Sequence, residues 1–163
     1  MIIRPIAGDD EIEALGLLTV EVYTDFWPGV LPDDYLAELA DVRSRAEEAL
    51  VLVAVDAAGT VLGGITYVGR PGRWASLEHP DQAELRMLAV SGQAQGRGVG
   101  TGLVQACVDQ ARRDCKRQVT LHTTTIMKAA QRIYERAGFV RRPAADLEEG
   151  GICLLSYVLD VEG

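Results

Sequence analysis

Several things are scarce in this sequence, and each shortage closes off a class of protein. Its three cysteines, Cys107, Cys115 and Cys153, are odd in number and widely spaced. Neither a disulfide framework nor a zinc-ligand set is expected, and no metal at all. No apolar run approaches the ~20 residues that a membrane-spanning helix needs. The opening Met1-Ile2-Ile3-Arg4-Pro5 carries neither the long apolar core nor the cleavage site of a secretory leader. The cytoplasm is the expected location. Basic residues are outnumbered, 16 Lys and Arg against 24 Asp and Glu, for a net charge of −8. No cationic surface is left in surplus to bind nucleic acid or an anionic membrane. Internal repeats, low-complexity tracts and linkers are also missing.

What is present is ordinary for a globular chain, 48% hydrophobic and 25% charged over 163 residues. That length suits one domain, residues 1–163, with a full core. Residues 1–6 read as a short strand, and Gly8-Asp9-Asp10 as a turn and N-cap. Ile12, Leu15, Leu18 and Val22 recur at helical spacing up to about residue 26, before Pro28. Pro32, Asp33 and Asp34 restart a helix expected to run, with or without a kink, to residue 49. Tyr23, Phe26, Trp27 and Tyr35 bring four of the nine aromatics into this region, either as core between two helices or as a binding wall. Residues 50–55 and 61–68 predict a hairpin around Gly59, with Gly63-Gly64 marking a bulge or a close approach. The loop 69–81 is long enough to suggest function. A strand at 83–90 and a helix at about 98–114 follow, the helix burying Val99, Leu103, Val104, Cys107, Val108 and Ala111. A strand at 119–123, a helix capped by Thr124 or Thr125 and stopped by Gly138, a strand from Phe139, a polar turn at 144–151 and a last strand at 152–158 complete the chain. The fold class is α/β (α+β), a mixed central sheet of six or seven strands flanked by about four helices.

The stretch from 84 to 102 organises the rest. It passes from the run Leu85–Val90 through a polar turn into Gln95-Gly96-Arg97-Gly98-Val99-Gly100 and a helix. A helix N-terminus has amide N–H groups without intrahelical partners, and glycines let an anion approach them. A P-loop is a poor reading, because no lysine follows a suitable glycine. A dinucleotide fingerprint fails at its third glycine, where Thr101 stands, and the motif lies in mid-chain.

Gln95-x-x-Gly98-x-Gly100, preceded by Met87-Leu88-Ala89-Val90, resembles the acetyl-coenzyme A signature of the GNAT N-acetyltransferases. Residues 129–139, with Tyr134 on a helix closing in Gly138-Phe139, are similar to that family's second signature, and Ile3-Arg4-Pro5 suits its first strand. Met127 stands where many members carry asparagine. The resemblance implies a GNAT-type acyl-CoA N-acyltransferase fold and acetyl-CoA as co-substrate. It implies transfer of an acetyl group to the amine of a small molecule by direct attack in a ternary complex. A protein or peptide Nα-acetyltransferase and a non-catalytic acyl-CoA binding or sensing module are the alternatives. It also allows a homodimer.

By the same resemblance the pyrophosphate belongs on the backbone of Gln95, Gly96, Arg97, Gly98, Val99, Gly100 and Thr101, with the Arg97 side chain on a phosphate or in solvent. Leu88, Ala89 and Val90 belong to the pantetheine arm, at an edge opened where the strands 83–90 and 119–123 splay apart. The Leu88 N–H could serve the oxyanion. Tyr134 matches the general acid that reaches the sulfur, against the plainer role of a packed aromatic. Glu84 is either the base, acting through water, or an exposed charge at a strand start, with Glu78, His79 and His122 as alternatives.

Overall fold

A computed structural model describes residues 1–162. The sheet holds eight strands: β1 (Ile2–Pro5), β2 (Leu50–Val55), β3 (Val61–Val68), β4 (Gln82–Val90), β5 (Gln118–Thr124), β6 (Val140–Arg141), β7 (Leu147–Glu149) and β8 (Ile152–Asp160). Their spatial order is β1-β2-β3-β4-β5-β8-β6, with β7 also paired to β8. Only β4 and β5 run parallel, joined by a crossover through the helix α4 (Val99–Arg113). The other helices are α1 (Gly8–Phe26), α2 (Asp33–Ala40), α3 (Val42–Glu48) and α5 (Lys128–Arg136).

Alternation along the strands assigns the two faces. On β2, Leu52 and Ala54 pack under α4 together with Val99, Leu103, Val104, Cys107, Val108 and Ala111. Val51, Val53 and Val55 point the other way, against Leu15 of α1 and Val42 of α3. Both faces are covered, so β2 reads as one apolar run. The helical stripe of α4 is buried as its spacing predicts.

The mixed sheet agrees with the sequence reading, and four details differ. The helix expected to reach residue 49 breaks at Asp41, whose side chain accepts the Ser44 N–H at 3.1 Å and so starts α3 afresh. The expected polar turn at 144–151 contains β7, which raises the strand count to eight. At the start of α1, neither Asp9 nor Asp10 caps the helix. Glu11 reaches back to the Ala7 N–H at 2.8 Å while gripping Arg4. Thr124 and Thr125 likewise do not cap α5, whose N-cap position is Met127.

Gly63-Gly64 marks a close approach and is flanked by two irregularities: the register with β2 passes over Leu62 of β3 itself, and the register with β4 carries an extra residue on the facing strand. A Cβ on Gly64 would sit 2.5 Å from Leu15 Cδ1, and one on Gly63 would sit 2.7 Å from the Ala89 carbonyl oxygen. None of the described helices is long and apolar enough to cross a membrane.

Candidate active site

β4 carries the centre of the site, and two irregularities shape it. The first is a bulge. Gly64 pairs with Ala89 and Thr66 with Arg86, so Met87 and Leu88 together face Ile65 alone. Met87 takes the left-handed region at φ 55°, a strained choice for a side-chain-bearing residue. The extra residue changes the phase of the strand. Before it, Ala83 and Leu85 pack toward α4 while Glu84 and Arg86 take the opposite face. After it, Leu88 packs toward α4, and Met87 shares the Glu84–Arg86 face.

The second irregularity is a fork. β4 and β5 pair from Gln82↔Gln118 to Leu85↔Leu121 and no further. β5 continues along β8 to Thr124. The stretch Arg86–Val90 therefore has no strand partner on its β5 side, as the expected splaying requires. Beyond it, Gly96 and Gly98 adopt φ 77° and 79°, and Gly98 is the N-cap of α4. The first intrahelical bond runs from the Gly102 N–H to the Gly98 carbonyl at 2.9 Å, so the amides of Val99, Gly100 and Thr101 are free of intrahelical acceptors. A Cβ on Gly96 or Gly98 would meet no atom within 4 Å, which leaves open space over the turn. Gly100 serves packing instead: a Cβ there would lie 2.7 Å from Ile133 Cδ1 on α5. Gln95, Arg97 and Thr101 are exposed, Val99 is buried, and Leu88 and Ala89 are buried beside the fork.

On the α1 side of the fork lies a cavity of about 460 Å³. Tyr23, Trp27 and Tyr35 form one wall, while Phe26 stands behind Trp27 with ring centroids 5.8 Å apart. Burial pushes the Tyr23 phenol up, with Tyr35 and then Tyr134 adding to the effect. The β7–β8 turn closes the opposite side through Leu147, Glu149 and Ile152. That turn is fixed by Asp146, which takes two bonds from Arg141 at 2.6 and 2.7 Å and a third from the Ser156 N–H at 2.7 Å.

Glu84 lines this cavity and is 5% exposed, so it is not the solvated strand-start charge that was one expectation. Its Oε2 accepts the Ser76 N–H at 3.0 Å. His122 faces the cavity rather than the core. Its Nε2 lies 3.2 Å from the Ala145 carbonyl, which can only accept, so the proton sits on Nε2. Glu78 and His79 lie outside the cavity on the exposed surface of the 69–81 loop. Glu78 pairs with Arg142 at 3.6 Å. Met127 is buried and lines the cavity.

Tyr134 is 6% exposed and packs edge-on to Phe139 at 5.9 Å and against Tyr157 at 6.2 Å. Among the described residues its hydroxyl has no hydrogen-bond partner. Burial raises its pKa, so the phenol keeps its proton.

Sequence reasoning passed over Arg86, because it stands alone inside a run that otherwise reads as apolar. Its Nη1 donates to the Trp74 carbonyl at 2.6 Å, and it lines the cavity two residues from Glu84. Trp74, 1% exposed, was missed as an anchor of the long loop. Among the described residues no cluster of three or more His, Cys, Asp or Glu could hold a metal ion.

Solved structures share this architecture along almost their whole lengths. A ribosomal-protein-alanine N-acetyltransferase from Brucella melitensis superposes with a TM-score of 0.73 at 21% identity, covering 98% of this chain and 99% of that one. The putative acetyltransferase yncA from Salmonella typhimurium, solved with its cofactor acetyl-CoA, gives 0.69 at 21% identity, covering 98% and 93%. An aminoglycoside 6'-N-acetyltransferase complexed with coenzyme A gives 0.72 at 15% identity, covering 99% and 97%. No curated protein sequence matches. Residues 18–139, which hold the forked strand, the glycine turn and the Tyr134 helix, match the acetyltransferase (GNAT) family, and the chain belongs to that family.

Proposed function

We propose that the protein moves an acetyl group from acetyl-CoA to the amine of a small molecule by direct attack within a ternary complex. One observation carries this reading. The unpaired edge Arg86–Val90 joins two different binding surfaces, the open glycine turn at one end and the lined cavity at the other. An elongated donor with an anionic end and a reactive end fits such a path.

The fit is chemical at each part. The free amides at the start of α4, with those of the turn from Gln95, suit a pyrophosphate, and the helix dipole favours its charge. The backbone of Leu88, Ala89 and Val90 suits the amides of the pantetheine arm. Bound acetyl-CoA supplies an activated acetyl thioester at the fork.

The remaining work falls to the chain's own groups. The cavity orients an amine toward the fork. Glu84, buried and held by the Ser76 N–H, takes up a proton from the amine, directly or through one water. The Leu88 N–H at the bulge donates to the acyl oxygen as it gains charge. A bond forms between nitrogen and the acetyl carbon, and the carbon–sulfur bond breaks. Tyr134, kept protonated by burial, returns a proton to the sulfur. No covalent enzyme intermediate is required.

The test is a melting-temperature screen with acetyl-CoA, then a thiol-release assay across amines, amino acids, aminoglycosides and peptide N-termini. A thermal shift with turnover of small amines supports the reading. Turnover confined to peptide N-termini would make it a protein Nα-acetyltransferase. A shift with no turnover of any amine would make it a sensing module.

A further inference from the structure

Among the described residues Arg86 is the only lysine or arginine lining the cavity, and the mechanism above does not use it. It is half-buried. One of its five N–H donors goes to the Trp74 carbonyl, and it forms no ion pair among the described residues. Glu84 stands two positions away on the same face without pairing to it, because the Ser76 N–H holds that carboxylate. Behind Trp74 lies a second guanidinium, Arg45, 1% exposed. Its Nη1 bonds only to the carbonyls of Glu38 and Leu39, at 2.8 and 3.2 Å, and its Nε has no partner. Tyr23 and Tyr35 line the same cavity as Arg86, and the Arg45 guanidinium carbon lies 5.9 Å from the centroid of the Trp74 ring. The exposed carboxylates Asp34 and Glu149 lie at the rim, and Glu38 is half-buried between rim and floor.

The floor thus presents a cation without a counter-ion beside an anion that is only partly satisfied. Such charges are costly to keep apart from water. A ligand that brings both signs would complete them. Alternate residues of a strand are about 6.5 Å apart. Both side chains rise from one face, so the two heads can bracket a single small zwitterion. The aromatic wall then takes whatever apolar group the zwitterion carries.

We infer that the acceptor is a free α-amino acid with an apolar side chain: carboxylate on Arg86, amine beside Glu84, side chain against Tyr23, Trp27 and Tyr35. This rests on the reading of the cavity as the acceptor site. Arg86 becomes the residue that sets acceptor specificity. The acidic rim does not oppose such a ligand, which is neutral overall and enters with its ammonium available to Glu84.

The test compares L-phenylalanine and L-leucine with their carboxamides, with phenethylamine and isopentylamine, and with the dipeptide Phe-Ala. Thiol release with acetyl-CoA gives kcat/KM. Calorimetry on the protein saturated with coenzyme A gives affinity independently of turnover. The free amino acids should exceed their amides by about tenfold or more, since the amide leaves Arg86 unpaired. In Arg86→Gln the ratio should fall toward one, and Arg86→Lys should keep part of it. Amides, decarboxylated amines or the dipeptide performing as well as the amino acids would overturn the inference, as would a preference unchanged in both variants. If no amine is acetylated, the function proposed above fails on its own. The amino-acid preference in calorimetry, and its dependence on Arg86, then still decides this inference, and absence of amino-acid binding overturns it.

Discussion

The Trp74 carbonyl accepts from Arg86 Nη1 at 2.6 Å, and two residues along the loop the Ser76 N–H donates to Glu84 at 3.0 Å. Trp74 and Ser76 lie antiparallel to Glu84 and Arg86, and their main-chain atoms bond to those two charged side chains. A segment without regular structure thereby holds two opposite charges in fixed positions on one face of the sheet.

Glu84→Gln tests what that hold is for. The amide oxygen can still accept the Ser76 N–H, so the melting temperature should change little. Loss of the base should lower kcat about 100-fold, with the KM for acetyl-CoA unchanged. A kcat equal to wild type would leave Glu84 with the loop-anchoring role alone.

Tyr134→Phe removes a hydroxyl that has no protein partner, so stability should hold. Steady-state kinetics should show kcat lowered about 10- to 100-fold with coenzyme A affinity retained. Because burial raises the phenol's pKa, its proton is present below that raised value and lost only above it. The wild-type rate should therefore not decline between pH 8 and 10 through loss of this proton. A Tyr134-dependent decline in that window, absent from the Phe variant, would contradict the assignment.

Gly98→Ala introduces a methyl group into open space, yet at φ 79°. The steric cost is therefore conformational, about 1–2 kcal/mol. Thermal melts should show that loss. Calorimetry should show weaker acetyl-CoA binding, because the turn that aims the α4 amides is disturbed.

Asp146→Asn probes the wall of the cavity by pH. The Arg141 guanidinium, and then the Ser156 amide, hold the Asp146 carboxyl down at about 2. The folded value lies below the unfolded one, so its contribution is fully present above about pH 4. It is lost as pH falls toward 2. The melting-temperature gap between wild type and Asp146→Asn should be widest near neutrality and close between pH 4 and 2. A gap that does not close on acidification would refute the ion-pair origin.

The parts that showed in the sequence are those with a repeating signal or a constrained dihedral. α4 has a regular apolar stripe, the β2–β3 hairpin has two β-branched runs around Gly59, and Gly96 and Gly98 announce the turn. β7 was hidden because Leu147, Glu148 and Glu149 are all exposed and show no alternation. The break at Asp41 left only a single capping residue as its trace. The bulge at Met87 was signalled on its neighbour, by Gly63-Gly64, since the tight contact falls on the partner strand. The grip on Arg86 and Glu84 comes from main-chain atoms of Trp74 and Ser76, which no side-chain pattern encodes. Tyr23, Trp27 and Tyr35 were legible as a cluster, but whether they faced core or cavity depended on where the loop and the β7–β8 turn closed.

The phase change at Met87 makes β4 behave like a reading frame. Substitutions within Gln82–Val90 alter one contact each. Removing Met87 itself would leave plain alternation, with Glu84 and Arg86 still opposite Leu85 and Leu88. A deletion on either side of it would instead cost one half its face. Without Leu85, Arg86 would swing under α4 among Leu103, Val104 and Cys107; without Ala89, Leu88 would leave that core for the cavity. The segment can therefore diversify in identity, and the bulge is the one place where it can lose a residue and keep both faces.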